Sequence, residues 1–175
     1  MRIAYQGVPG AFGHEACLAF LPAYEPVGLP SFADVAAGVA AGAIERGLLP
    51  LRNSRAGAVE GVADLVGKHG LAIEAEHVLR VRMHLLALPG TRLEAVRTVT
   101  SHPVALRQCA VAIARLGVAT EPAPNTAAAA RALDDPHKAV LASEAAASLY
   151  GLEILVRDLQ DDPDNATTFI LIRRG

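Results

Sequence analysis

Extended and helical patterns take turns along almost the whole chain, and that alternation most narrows the folds open to it. RIAYQ (Arg2 to Gln6) reads as a strand and GVPGAFG as the loop after it. FGHEACLAFL then sets Phe12, Ala16, Ala19 and Phe20 at helical spacing. Ser31 predicts the N-cap of a small-residue helix closed by Gly42. RGLLPLRNS predicts a short strand that breaks at Pro50 and opens into a polar loop, and VEGVADLVGKHG a helix stopped by Gly70. From Leu71 to Leu88 the pattern becomes a long β-rich alternation, read as extended strands crossing from one lobe to another. A second series follows: strand TVTS, helix from Pro103, strand VATE, helix from Thr126, strand AVLAS, helix from Ser143, then strands in LEILVRD and TFILIRR. Such a series predicts an α/β protein of two small lobes, 1–76 with 160–175 forming the first and 77–159 the second.

Composition excludes several classes. With 52% hydrophobic and 19% charged residues the 175-residue chain is globular rather than disordered. A formal charge of −2 and a pI near 6.3 leave no electrostatic footprint for nucleic acid. The one basic cluster, Arg80-Val81-Arg82, reads as alternating exposed positions on a strand. Cys17 and Cys109 make no CxxC pair, which suits two ordinary thiols in a reducing cytoplasm. The N-terminus lacks an apolar signal core, and the Ala-rich stretch from Val35 to Ala43 is too short to span a bilayer. A soluble cytoplasmic protein without membrane partners is predicted.

In the second half, Ser101, Thr126 and Ser143 each stand where a strand ends and a helix begins, as N-caps would. Pro103 fits a first-turn position. Helix N-termini gathered at the carboxyl edge of a sheet suit carboxylates or phosphates, so either plain caps or a small-anion site is read here. The glycines at 7, 10 and 13 match neither GxGxxG nor a P-loop; a tight turn close to a small ligand fits better. HEAC (His14 to Cys17) lacks the second histidine of HExxH, the histidines show no metal spacing, and GxSxG is absent. His102 is open to two readings, a general acid or base and a structural donor at a helix start.

GVPGAFGHEA, LLPLRNSRAG, SHPVALRQC, NTAAAA, ASEAAASLYGL and DNATTF occur in the order found in prephenate dehydratase catalytic domains, and the chain resembles that family from Ile3 to Ile172. The resemblance implies two α/β lobes like those of type II periplasmic binding proteins, with the substrate between them. It implies loss of carbon dioxide and the ring hydroxyl from prephenate to give phenylpyruvate, without metal or organic cofactor. Many bacterial relatives carry a C-terminal ACT domain; this chain stops just after the TTF strand, which implies a stand-alone catalytic domain. The family threonine placed at the departing hydroxyl maps to Thr167, expected as a hydrogen-bond donor to developing negative charge. Asn53, Ser54, Ser101, His102, Thr126, Ser143, Asn165 and Phe169 are the implied substrate-binding residues, and a homodimer or homotetramer through lobe–lobe contacts is implied.

Four positions depart from the family pattern. Arg52 replaces the glutamate of P-I-E-N-S/T, Thr168 the arginine of T-R-F, and Gly13 the serine of the first loop. The histidine of H-x-L-L falls at Met83, with His84 one place later, which on a strand reverses the face. With glutamate and arginine both replaced, Arg52 is expected to anchor a substrate carboxylate through its guanidinium. Alternatives are a family enzyme of altered outcome, either a non-aromatising decarboxylase or an arogenate dehydratase, and a small-carboxylate binding module without turnover.

Overall fold

The computed structural model describes residues 1–175. The chain divides into two compact units: residues 1–8, 12–81 and 164–175 form one, and residues 9–11 and 82–163 the other. Both boundaries lie later than the 76/77 and 159/160 expected from sequence. The first moves because the strand from Leu71 runs on to Arg80, paired with the C-terminal strand over its whole length.

In unit 1, β1 (Arg2–Gln6), β2 (Glu25–Leu29), β3 (Arg46–Asn53), β5 (Leu71–Arg80) and β11 (Ala166–Arg174) lie in the order β2-β1-β3-β11-β5. The β1 strand is parallel to β2 and β3, whereas β11 runs antiparallel to both β3 and β5. The two-residue strand β4 (Gly57–Ala58) folds back on the end of β3. Helices α1 (Phe12–Phe20), α2 (Phe32–Ala40) and α3 (Val62–Lys68) cover the sheet.

Strand alternation splits the core of unit 1. Ala4, Leu49, Ile170 and Ile172 pack with α2 and α3, while Ile3, Tyr5, Leu48, Phe169 and Leu171 pack with α1. Each fully buried Ile or Leu contributes about 1.5–3 kcal/mol. Gly47 lets α2 come close, since a Cβ there would lie 2.9 Å from Val35 Cγ1. Ser31 caps α2 as expected, its Oγ accepting the Asp34 N–H at 3.1 Å.

Pro50 does not break its strand. Its missing N–H lies beyond Leu48, the last residue of β3 paired with β1, and a bulge at Leu51 absorbs the irregularity: Phe169 opposes Pro50 and Thr168 opposes Arg52.

In unit 2, β6 (His84–Ala87), β7 (Thr98–Ser101), β8 (Ala119–Pro122), β9 (Lys138–Ala142) and β10 (Glu153–Val156) lie in the order β10-β6-β9-β7-β8. Its helices are α4 (Pro103–Gln108), α5 (Ala110–Leu116), α6 (Thr126–Arg131) and α7 (Glu144–Tyr150). The core joins Leu86, Val140 and Ala142 to the alanines of α6 and α7. Pro9–Ala11 packs here too, and a Cβ on Gly10 (φ +87°) would meet the Ala146 Cα at 3.1 Å. Within unit 2, Gly10 of the GVPGAFG turn thus lies with its backbone close against α7. No helix is long and apolar enough to cross a membrane.

Candidate active site

The ends of β3 and β11 place Asn53 directly opposite Thr167 in the antiparallel ladder. Asn53 Nδ2 donates to Thr167 Oγ1 at 2.9 Å, to Asn165 Oδ1 at 2.9 Å and to the Ala166 carbonyl at 3.1 Å. Its Oδ1 accepts the N–H groups of Arg55 (2.9 Å) and Ala56 (3.0 Å). A backbone carbonyl can only accept and a backbone N–H can only donate, so these neighbours dictate the orientation of the amide. Thr167 Oγ1 therefore receives a hydrogen bond, and its own proton is left to donate elsewhere.

Asn165 completes the group. It is 1% exposed, its carbonyl accepts from Val81 N–H at 2.8 Å, and its Nδ2 has no hydrogen-bond partner. Burying an amide donor unpaired costs roughly 1–3 kcal/mol, an expense that functional groups commonly carry. Ser54 fastens the corner from the other strand: its N–H donates to the Ala166 carbonyl at 2.8 Å, and its Oγ accepts the Ala166 N–H at 3.0 Å. Its hydroxyl is thereby occupied with backbone. Asn165 and Thr167 are two apart on an extended segment, a same-face signal visible in the sequence; that Asn53 joins them needed the sheet.

The other expected site residues sit elsewhere. Phe169 is 3% exposed and packs with Tyr5, Leu48 and Leu79, so it is core rather than a substrate contact. Arg52 and Thr168 oppose each other in the register one residue from the Asn53–Thr167 pair, which puts them on the opposite face of the sheet. Arg52 Nη2 there pairs with Glu76 at 3.8 Å, reaching past the small Thr168. The expected carboxylate anchor thus turns away from Thr167, and the two family departures fall at one cross-strand pair. At Gly13 a Cβ would meet Tyr5 Cδ2 at 3.3 Å, so a serine there would crowd that ring.

In unit 2 the expected caps shift or close. Ser101 is 0% exposed and donates to the Leu141 carbonyl at 2.7 Å, while His102 caps α4, its Nδ1 accepting the Val104 N–H at 3.2 Å. This contact makes His102 a capping acceptor rather than the donor expected at a helix start, with its other ring nitrogen carrying the proton. Asn125, not Thr126, caps α6, its Oδ1 accepting the Ala128 N–H at 2.6 Å. Ser143 caps α7 at 3.1 Å and also donates to the Gly10 carbonyl at 2.8 Å, and it is 0% exposed. Both serines are spent on backbone, and neither offers a ligand an open hydroxyl.

Nor does another nucleophile stand out. Burial pushes the Cys17 and Cys109 thiols up to about 12. His84 is 2% exposed, its Nδ1 accepting the Asp158 N–H at 3.1 Å, and burial lowers its pKa. Arg80 and Arg82 form exposed ion pairs with Asp164 (3.7 Å) and Asp158 (3.9 Å).

The prephenate dehydratase family model matches residues 3–175. The chain belongs to the prephenate dehydratase family.

"Arogenate dehydratase/prephenate dehydratase 2, chloroplastic" of Arabidopsis thaliana is 39% identical over 99% of the chain and 46% of its own length. The chain thus spans about half the length of such relatives. Among solved structures, GqqA, described as a novel type of quorum quenching acylase, superposes with a TM-score of 0.93 at 36% identity, covering 100% of this chain and 64% of that one. Prephenate dehydratase of Arthrobacter aurescens in complex with L-Phe gives 0.91 at 24%, covering 100% and 61%. A nutrient binding protein of Burkholderia cenocepacia bound to methionine gives 0.51 at 8%, covering 97% and 84%. That likeness concerns fold alone, and it shows the two-unit α/β architecture of periplasmic binding proteins.

Proposed function

We propose that this chain catalyses the decarboxylating dehydration of prephenate to phenylpyruvate, a carbon–oxygen lyase reaction of phenylalanine biosynthesis. The electron pair of the breaking C–C bond moves into the ring as carbon dioxide leaves. The ring then aromatises by expelling hydroxide, which takes up a proton to become water. Hydroxide is a poor leaving group, so the step needs a donor at the departing oxygen. Thr167 is that donor.

The observation that carries this reading is the 2.9 Å bond from Asn53 Nδ2 to Thr167 Oγ1. It occupies the oxygen as an acceptor, aims the hydroxyl proton outward, and keeps it aimed before substrate arrives, as electrostatic preorganisation requires. Asn53 is on this reading a positioning residue, and the unpartnered Nδ2 of Asn165 supplies a second donor to the substrate. A hydroxyl nucleophile needs a base to take its proton, and the Asn53 amide that bonds Thr167 Oγ1 cannot serve as one. That favours dehydration over the quorum quenching acylase activity named for GqqA. His102 and Thr126, at the starts of α4 and α6, stay as proposed substrate contacts, whereas Ser101 and Ser143 do not.

Arogenate is the second reading, because the Arabidopsis relative is named for both substrates. Ultraviolet assays decide the matter: phenylpyruvate from prephenate, phenylalanine from arogenate, each with the wild-type chain and with Thr167→Ala. Carbon dioxide released without an aromatic product would instead favour a non-aromatising decarboxylase. A thermal shift with prephenate but no turnover would favour a binding module. We further propose a cytoplasmic homodimer or homotetramer, without nucleic-acid or membrane partners.

A further inference from the structure

The two edges of the unit 1 sheet are unlike. At one end β2 is five residues long and carries Pro26 and Gly28, both poor templates for further pairing. At the other, β5 has ten residues without proline or glycine and is hydrogen-bonded only to β11. An edge of that kind presents a row of unpaired N–H and C=O groups. Its solvent side is apolar as well as charged: Val78 is 59% exposed, and the side chains of Glu76 and Arg80 are 50% and 66% exposed.

Strand alternation sets Glu76, Val78 and Arg80 on one face. In antiparallel self-pairing the axis position decides which charges meet. An axis at Glu76 apposes two glutamates, and one at Ala75 apposes Glu74 with Glu76. An axis at His77 would pair Glu74 with Arg80, but Glu74 is the bulged residue of β5. With the axis at Val78, each Glu76 faces Arg80 of the other copy, and the two exposed valines meet between the pairs.

We infer that two copies of this chain join through the outer edge of β5, antiparallel about Val78. This rests on the homo-oligomer reading above and names its surface. The partner is a second copy because, with the axis at Val78, the edge sets Glu76 against Arg80 twice over within β5 and is thus complementary in charge to itself.

The test is the mass of the 175-residue chain in solution, by light scattering and sedimentation, with far-ultraviolet circular dichroism to check folding. Wild type is expected at twice the 18.2 kDa of one chain. Arg80→Glu and Glu76→Arg, each alone, put like charges opposite one another and weaken association roughly tenfold. The double variant restores opposite charges and regains wild-type association. A wild type of single-chain mass overturns both the oligomer reading and this surface. A wild-type dimer that Arg80→Glu leaves unchanged overturns the β5 surface while the oligomer stands. Single variants that weaken association without rescue by the double overturn the Val78 register.

Discussion

Hydroxyl groups meet opposite fates in the two units. Thr167 in unit 1 receives a hydrogen bond from Asn53 and keeps its proton available, beside a buried Asn165 whose Nδ2 is unpaired. Ser101 and Ser143 in unit 2 are fully buried and give their protons to the Leu141 and Gly10 carbonyls. On the proposed reading the same functional group is reactive equipment in one place, whereas in the other it is structural fastening. What separates them is who donates. A hydroxyl fed by an amide points its proton outward, whereas one facing a carbonyl points it inward and stops there.

Removing the donor should break the contrast most severely. Thr167→Ala is expected to lower kcat for phenylpyruvate formation by roughly a hundred- to a thousand-fold with little change in KM, and Thr167→Ser should restore most of it. Asn53→Asp comes next, because a carboxylate cannot donate to Thr167 Oγ1 yet still accepts the Arg55 and Ala56 N–H groups. A kcat loss of about a hundred-fold in a protein of near wild-type melting temperature would mark Asn53 as positioning the hydroxyl.

The unit 2 serines should answer in stability instead. Ser143→Ala removes a cap and strands the Gly10 carbonyl, lowering unfolding free energy by about 1–3 kcal/mol in urea titrations. A large fall in kcat for the folded variant would move Ser143 back among the substrate contacts.

Smaller effects sharpen the picture. Arg52→Ala should leave KM for prephenate within about twofold, since its exposed pair with Glu76 contributes only about 0–1 kcal/mol and lies on the other face of the sheet. His84 is held below its usual pKa of 6.5 chiefly by burial, Asp158 and Glu144 raising it and Arg157 and Arg82 lowering it to lesser degrees. Because the folded value lies below the unfolded one, protonation favours unfolding. Stability should fall as pH drops below about 6.5 toward the lower folded value and be indifferent to this residue above it. Urea midpoints measured across that interval, with His84→Asn as control, test the sign.

The elements themselves were legible because they follow from local pattern. The Ser31 cap, the Phe12–Phe20 helix and the β1 strand need only neighbouring residues to form, and all appear where periodicity places them. Caps shifted by one residue, from Ser101 to His102 and from Thr126 to Asn125, because a cap depends on the dihedrals of one residue at a junction. Pro50 misled because a proline reads as a break unless the neighbouring strand ends before it and a bulge follows.

By itself, then, the order of residues determined an α/β chain with its family motifs and a threonine near the carboxyl end in a polar setting. Only the folded sheet decided that Asn53 would feed that threonine, that Arg52 would face the other way, and that Phe169 would join the core. The reason is physical. Periodicity is a property of one segment, but the facing of β3 and β11 is set by a register between residues more than a hundred positions apart. A change of one residue in that register would send every one of these side chains to the opposite face.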